Sequence, residues 1–398
     1  MLKKVLYLLI LCVYYINNMY TFLPEIDPLT SYKTRSTSLE NISNIASHLP
    51  KLLLTSKVQK TILKLNKKDF SIDEILEKDS LHEINLAMSH ISFIAHAFMW
   101  GGKKPEPILP EVISEPWVKL SQYLGRPPIL SYASYCLDNW YRIDNSEPIS
   151  LDNVALINNF LGGVDEDWFV TIHVCIEDAA SDAIDAAYKL AHLDNENSIS
   201  EFSKHLKRIK KSLVKVNNIF SKMPEKCDPY VYYHRVRPYI FGTKDNPDLK
   251  NGLIYENQFN NEPQFFRGET GAQSSIIPFL DGALGIYHTN DNLRHYLNEM
   301  RDYMPPHHRG MIEKVEKKSK AKDIIHKSEC LTEIYNQCLE EIRKFRAQHL
   351  EYAATYIHKQ AQVTTDIGSG GSTVRGTGGT PFMKYLKKHR DETQDQKI

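Results

Sequence analysis

Apolar residues recur along most of this chain at helical spacing, and few segments alternate with the two-residue period of strands. From Glu40 to Trp140 the three- and four-residue steps are clear in SLHEINLAMSHISFIAHAFMW and again in ILSYASYCLDNWYRI, and such steps place apolar side chains on one helix face. Further helices are predicted over residues 168–193, 199–223, 273–287 and 328–359. The pattern therefore predicts an all-α protein.

Prolines and glycines divide this helical pattern into segments. KKPEPILPEVISEP (103–116) is predicted to be an extended connector, because proline lacks an amide donor and is excluded from helix interiors. IDNSEPISLDN (143–153) reads as a second break, and the acidic residues of GGVDED (162–167) suit the start of the next helix. The predicted organisation is an apolar extension (1–18), then a small helical domain (19–155), followed by a large helical domain (156–398) with a mobile glycine-rich loop (364–380).

The first residues, MLKKVLYLLILCVYYI, combine two lysines with an apolar run. This run is shorter than the roughly 20 residues that span a bilayer, but it suits the apolar region of a signal peptide. No small-residue cleavage step follows it, and Met19 is an alternative start of the chain. We expect a cytoplasmic protein, with secretory or membrane targeting by residues 1–18 left open.

Composition narrows the class of partner. The chain has 398 residues, 42% of them hydrophobic, and its 49 basic residues balance its 49 acidic residues. This balance predicts neither a nucleic-acid partner nor a membrane partner. The cysteines form no CxxC pair, which argues against a zinc ribbon or a dense disulfide framework; they are Cys12, Cys136, Cys175, Cys227, Cys330 and Cys338.

One predicted helix, KFRAQHLEYAATYIHK (344–359), places a histidine within its apolar stripe. The stripe consists of Ile342, Phe345, His349, Ala353 and Tyr356. Two interpretations stay open at this point: His349 is a core histidine satisfied by one hydrogen bond, or it is the ligand of a haem iron. In the second case Arg346, one turn earlier, would supply a cation for a haem propionate.

A second histidine, His173, shares a face with Ile176, Ala180 and Ile184 on an alanine-rich helix. Small residues there allow either close helix packing or the approach of a flat partner. Neither helix contains HExxH, so a zinc or di-iron hydrolase is disfavoured. The adjacent histidines of PPHHRG (305–310) face different ways and are predicted to be surface residues.

The segment YVYYHRVRPYIFG (230–242) is crowded with tyrosines and arginines. Aromatic walls would hold a flat apolar ring, and a guanidinium would bind a carboxylate, so an aromatic amino acid is a suitable ligand. The alternative is a tyrosine-rich packing segment with solvent-facing arginines.

Several blocks of the sequence resemble the indoleamine 2,3-dioxygenases in order and spacing, over about Phe22 to Thr393. The blocks are RPPILSYASYCLDNW (126–140), FFRGETGAQSSIIPFLDGALGI (265–286), MRDYMPPHHRG (300–310), RAQHLEYAATYI (346–357) and RGTGGTPFMKYLKKHR (375–390). The resemblance implies an all-α monomer in which the small N-terminal domain packs on the large domain. That large domain would bind haem b through His349, with Arg346 and Asp281 beside a haem propionate. The resemblance also implies catalytic roles for His173 on the distal side and for Arg237.

The substrate that the resemblance implies is L-tryptophan, which O2 and an external reductant would convert to N-formylkynurenine. This is the first step of the kynurenine pathway of tryptophan catabolism and NAD biosynthesis. The implied substrate-binding residues are Tyr132, Tyr135, Tyr232, Tyr233, Arg237, Gly271 and Thr377. A non-catalytic haem or O2-binding relative of the same fold is the alternative.

This sequence departs from the family pattern at the distal side. His173 stands where the mammalian enzymes have serine, and Tyr232 and Tyr233 stand where phenylalanine is usual. A distal imidazole that accepts the indole N–H would favour tryptophan over N-methylated indoles.

Overall fold

The computed structural model describes residues 20–193, 199–362 and 382–398, and most of them are helical. The α-helices are α1 (Thr37–Ser47), α2 (Leu49–Leu54), α3 (Val58–Ile62), α4 (Asp73–Glu77), α5 (Leu81–Trp100), α6 (Glu111–Leu124), α7 (Val164–Ala191), α8 (Ile199–Phe220), α9 (Pro229–Val231), α10 (Ile276–Leu284), α11 (Asn292–Met300), α12 (Pro306–Lys318), α13 (Ala321–Ile325), α14 (Glu329–Ala353) and α15 (Phe382–Asp395). The all-α prediction is confirmed. No helix in these described ranges has both the length and the apolar content needed to cross a membrane.

Short strands join distant loops within the described residues. The strands are β1 (Ile108–Leu109), β2 (Trp140–Arg142), β3 (Val154–Leu156) and β4 (Ile254–Tyr255). β1 pairs with β4 in parallel, and β2 pairs with β3 in antiparallel register, with Trp140 opposite Leu156. The helix predicted over ILSYASYCLDNWYRI (129–143) is therefore wrong at both ends, and only residues 132–137 are helical. A π-helical turn at Ala133–Leu137 precedes β2 instead.

Pro116 lies inside α6, so the prediction that it belongs to an extended connector is also wrong. Residues 103–110 are not helical, and two of them form β1. Helix α6 begins directly after Pro110. Pro116 removes one amide donor from the helix. The fully buried face of α6, which includes Ile113 and Trp117, offsets that loss by removing apolar surface from water.

Two hydrophobic clusters form the core of the described residues. The first gathers α1 to α6 and also draws on residues 240–255. The second is built on the long helices: α7 packs against α8, α8 against α14, and α14 against α15, while α10 lies on α7. The acidic first turn predicted for α7 is confirmed, with Asp165, Glu166 and Asp167 following its start.

His308 is buried, so the surface prediction for it is wrong. It is 2% exposed, its Nδ1 lies 3.1 Å from Ser275 Oγ, and its ring packs 4.6 Å from the Phe22 ring. Its partners are the residue directly before α10 and a residue of the N-terminal segment, which local spacing within PPHHRG does not reveal.

Candidate active site

A cavity of about 300 Å³ lies among the helices of the second cluster. This is the lower end of the size range of small-molecule sites, roughly 300 to 1,000 Å³. Helices α7, α8, α10 and α14 each contribute to its walls, and the apolar lining includes Phe169, Leu213, Val216, Phe220, Ile276, Phe345 and Ile357. The surface of the cavity is therefore mostly apolar, and the polar side chains in its lining indicate what it binds.

His349 lies in the wall of this cavity, on α14. Its ring meets Phe220 edge-on at 6.3 Å between centroids, and no residue in the described part of the chain hydrogen-bonds it. Burial, and then the proximity of His173, lower the pKa of His349 to about 4. The imidazole is therefore neutral near pH 7 and has a nitrogen lone pair available to a metal.

His173 reaches the same cavity from α7. Its Nδ1 lies 2.7 Å from the carbonyl oxygen of Phe169. A carbonyl oxygen only accepts, so Nδ1 carries the proton and Nε2 of the neutral ring is an acceptor. Burial lowers the pKa of His173, which keeps the ring in this neutral form.

A buried ion pair lies in the wall of the cavity. Arg346 Nη2 lies 2.6 Å from Asp281 Oδ2, and both residues line the cavity. Burial alone would raise the pKa of Asp281, but the charge of Arg346 and the hydrogen bond from His288 lower it to about 2. Asp281 is therefore a carboxylate near neutral pH, and it holds the guanidinium in the wall.

A second guanidinium, that of Arg237, lines the cavity and is 1% exposed. Arg237 is the first residue of a 3₁₀ turn that directly follows a π-helical turn at Tyr232–Val236. Its Cζ lies 5.1 Å from the Tyr233 ring centroid and 4.6 Å from that of Phe241. Burial lowers the pKa of Arg237, but an arginine remains charged. An anion in the cavity would stabilise this buried charge.

Most of the site residues predicted from the sequence meet at this cavity. They are Tyr132, His173, Tyr232, Arg237, Gly271, Asp281, Arg346 and His349. Tyr232 stacks on Phe169 at 4.7 Å. At Gly271 an added Cβ would meet nothing within 4 Å, so glycine leaves open space there.

Two predicted residues are not among those that line the cavity. Tyr135 is fully buried and stacks on Phe93 at 5.7 Å, while Tyr233 lies beside Arg237. Thr377, like the glycine-rich loop that contains it, lies outside the described residues.

Buried acids around the cavity were missed by sequence reasoning. Glu177 is fully buried and accepts hydrogen bonds from Tyr132 Oη at 2.9 Å and Ser274 Oγ at 2.8 Å; burial raises its pKa to about 7. Glu269 lines the cavity, and burial raises its pKa to about 8. In the sequence, the only local indication that Glu177 lies near the site is its position one helical turn after His173. Glu269 lies within the quoted block FFRGETG.

Comparison with known proteins agrees with the sequence blocks quoted above. The family model described as indoleamine 2,3-dioxygenase matches residues 11–396. The chain is 33% identical to indoleamine 2,3-dioxygenase 1 of Rattus norvegicus over 364 residues, covering 88% of this chain and 87% of the rat protein. It is 29% identical to indoleamine 2,3-dioxygenase of Saccharomyces cerevisiae, covering 96% and 92% of the two chains. A Fusarium equiseti relative named 6-hydroxytryptophan 2,3-dioxygenase fscD is 30% identical, covering 93% and 94%.

Proposed function

The chain belongs to the indoleamine 2,3-dioxygenase family of oxidoreductases, and we propose that it opens the indole 2,3-bond of L-tryptophan with O2 to give N-formylkynurenine. One observation carries the proposal: the same mostly apolar cavity is lined by a neutral imidazole, His349, to which no described residue hydrogen-bonds, and by a buried guanidinium, Arg237. The first suits an iron, and the second suits an amino-acid carboxylate.

The residues present fit a haem b. His349 offers the single imidazole that such an iron takes, Phe220 and Phe345 offer apolar surface to a porphyrin, and Arg346 offers a cation for a propionate. When bound, the haem would supply the iron that binds O2 and makes it reactive toward the indole. An external reductant would keep that iron ferrous.

The rest of the cavity suits tryptophan. Arg237 would bind the carboxylate, and the rings of Tyr132, Tyr232 and Phe169 would pack against the indole. The open space at Gly271 would take part of the substrate. Holding the indole in a fixed place lowers the barrier because orientation is already determined before reaction.

His173 would position the indole by accepting a hydrogen bond from the indole N–H. The Nδ1–H is engaged by Phe169, so Nε2 is the atom that would accept. In this assignment the histidine fixes the orientation of the substrate and need not remove a proton from it. Its acceptor also favours indoles that carry an N–H over N-methylated ones.

A haem or O2 carrier of the same fold is the alternative function. A carrier has no need of a buried guanidinium in its ligand cavity, so Arg237 favours the enzyme.

The test is to express the chain with added haem and to follow N-formylkynurenine formation from L- and D-tryptophan under reducing conditions. We expect a haem spectrum and product from L-tryptophan. A haem-loaded protein that forms no product would support the carrier, and a purified protein that takes up no haem would refute both.

A further inference from the structure

The C-terminal helix α15 contacts the ion pair in the wall of the cavity. Arg346 Nη1 donates a hydrogen bond to Thr393 Oγ1, while Arg346 Nη2 binds Asp281. Thr393 is fully buried and in turn donates to the His389 carbonyl oxygen at 2.7 Å. The guanidinium of Arg346 is therefore held between α10 on one side and α15 on the other.

A histidine makes a second connection between α15 and the ion pair. His288 Nε2 lies 3.0 Å from Asp281 Oδ2, and His288 Nδ1 lies 2.7 Å from Glu392 Oε2. The His288 side chain is 2% exposed. Thr289 Oγ1 donates to the other oxygen of Glu392 at 2.7 Å. Glu392 thus fixes His288, and His288 fixes Asp281.

A metal site is the competing interpretation of this cluster. Ligand atoms of His288, His389 and Glu392 lie within 4.8 Å of one another. However, the two imidazole rings stack at 4.3 Å with an interplanar angle of 27°, so their lone pairs lie in two separate, nearly parallel planes and do not meet at one ion. Both His288 nitrogens also already contact carboxylates. These contacts are better explained as hydrogen bonds.

We propose that α15 is part of the haem site, and that Thr393 and Glu392 are positioning residues that hold Arg346 and Asp281 in place for a haem propionate. This inference rests on the proposed function in that it requires haem to bind. When two N–H groups of a guanidinium are held, the orientation of its plane and of its remaining N–H donors is fixed as well. A haem propionate would then bind to donors that are already oriented. Without Thr393 the guanidinium loses one of these two anchors.

The test compares Thr393→Val with Thr393→Ser in the haem-loaded full chain. Valine keeps the shape of threonine without the oxygen, and serine keeps the oxygen. One measurement is the rate of haem transfer to an excess of haem-scavenging apomyoglobin; another is the propionate bending band in the resonance Raman spectrum, which reports hydrogen bonding at the propionate. Glu392→Gln is the second variant, and Asp395→Asn, exposed on the same helix, is its charge-matched control.

We expect Thr393→Val to release haem about tenfold faster, since a hydrogen bond to a charged group contributes on that order, and to shift the propionate band. Thr393→Ser should have the wild-type rate of haem release and the wild-type propionate band. Glu392→Gln should show the same two changes as Thr393→Val, but smaller. Asp395→Asn should behave as wild type. If Thr393→Val and Glu392→Gln release haem at the wild-type rate with an unmoved band, the role of α15 is refuted while the proposed function stands. A wild-type chain that takes up no haem refutes the proposed function itself.

Discussion

The Nδ1 atom of His173 and the carbonyl oxygen of Phe169 lie 2.7 Å apart, one turn apart on α7. This contact fixes the tautomer of the ring, so that the nitrogen left for the cavity is an acceptor. The same Phe169 stacks on Tyr232 at 4.7 Å and thereby joins the distal histidine to the aromatic wall. The chain therefore presents a hydrogen-bond acceptor next to the aromatic wall of the pocket.

Replacing His173 by Ala should weaken the discrimination between L-tryptophan and 1-methyl-L-tryptophan. The loss of one neutral hydrogen bond is about 1 kcal/mol, so the ratio of the two kcat/KM values should fall by roughly fivefold to tenfold. His192→Ala is the matched control, because His192 makes the same Nδ1 contact with the Tyr188 carbonyl and is not among the residues that line the cavity. An unchanged ratio in His173→Ala would show that Nε2 does not receive the indole N–H.

Arg237→Ala should leave haem binding intact while tryptophan turnover collapses. Removing one partner of a buried charge pair costs about 2 to 5 kcal/mol, which corresponds to a loss of kcat/KM of at least roughly thirtyfold. Arg235→Ala, two residues earlier and exposed, should retain wild-type kinetics. The checks are the haem spectrum and the rate of N-formylkynurenine formation. Equal activity of the two variants would contradict the carboxylate-binding role.

His349→Gly should lose stable haem, and imidazole added to the buffer should restore a haem spectrum, because the small ligand fills the space that the side chain leaves. The rescue separates loss of a ligand from loss of the fold. His326→Ala, which replaces an exposed histidine, is the control and should keep its haem. A variant that keeps the wild-type Soret band without imidazole would exclude His349 as the iron ligand.

The sequence predicted those features of the site that lie on one element. Phe345, His349 and Ala353 all line the cavity, because the helical period determines which face of α14 they share. Tyr356 lines it from the π-helical turn that follows α14. Family resemblance added the Arg346 and Asp281 pair, which the structure places 2.6 Å apart. No periodicity in the sequence could have joined these two residues.

Features that depend on distant partners were not predicted. Glu177 is held by Ser274, which is 97 positions away in the chain, and His308 packs on the even more distant Phe22. The strand at Trp140 exists because residues 154–156 pair with it. Spacing along one segment carries no information on such partners, so a local pattern could not distinguish a buried acid or histidine from an exposed one.

Glu177 gives a prediction about stability and pH. Its carboxyl is fully buried, and burial raises its pKa from an ordinary value near 4.5 to about 7, against the opposing hydrogen bonds from Ser274 and Tyr132. The folded protein therefore binds this proton more tightly than the unfolded chain does. The free energy of unfolding that the neutral acid contributes is fully present below about pH 4.5 and is lost as the pH rises through about 7.

Glu177→Gln cannot ionise, and its amide oxygen can still accept from Tyr132 and Ser274. Relative to wild type, this variant should gain stability as the pH rises from 5 to 8, by up to about 3 kcal/mol for a shift of this size, or several degrees in the thermal midpoint. Other buried acids, such as Glu269, remain in both proteins, so the difference between them isolates Glu177. The measurement is the thermal midpoint of both haem-free proteins from pH 5 to 8, with the exposed Glu262→Gln as control. A midpoint difference that stays constant with pH would mean that Glu177 ionises as easily in the folded protein as in the unfolded chain, and that Tyr132 is held by a permanently charged carboxylate.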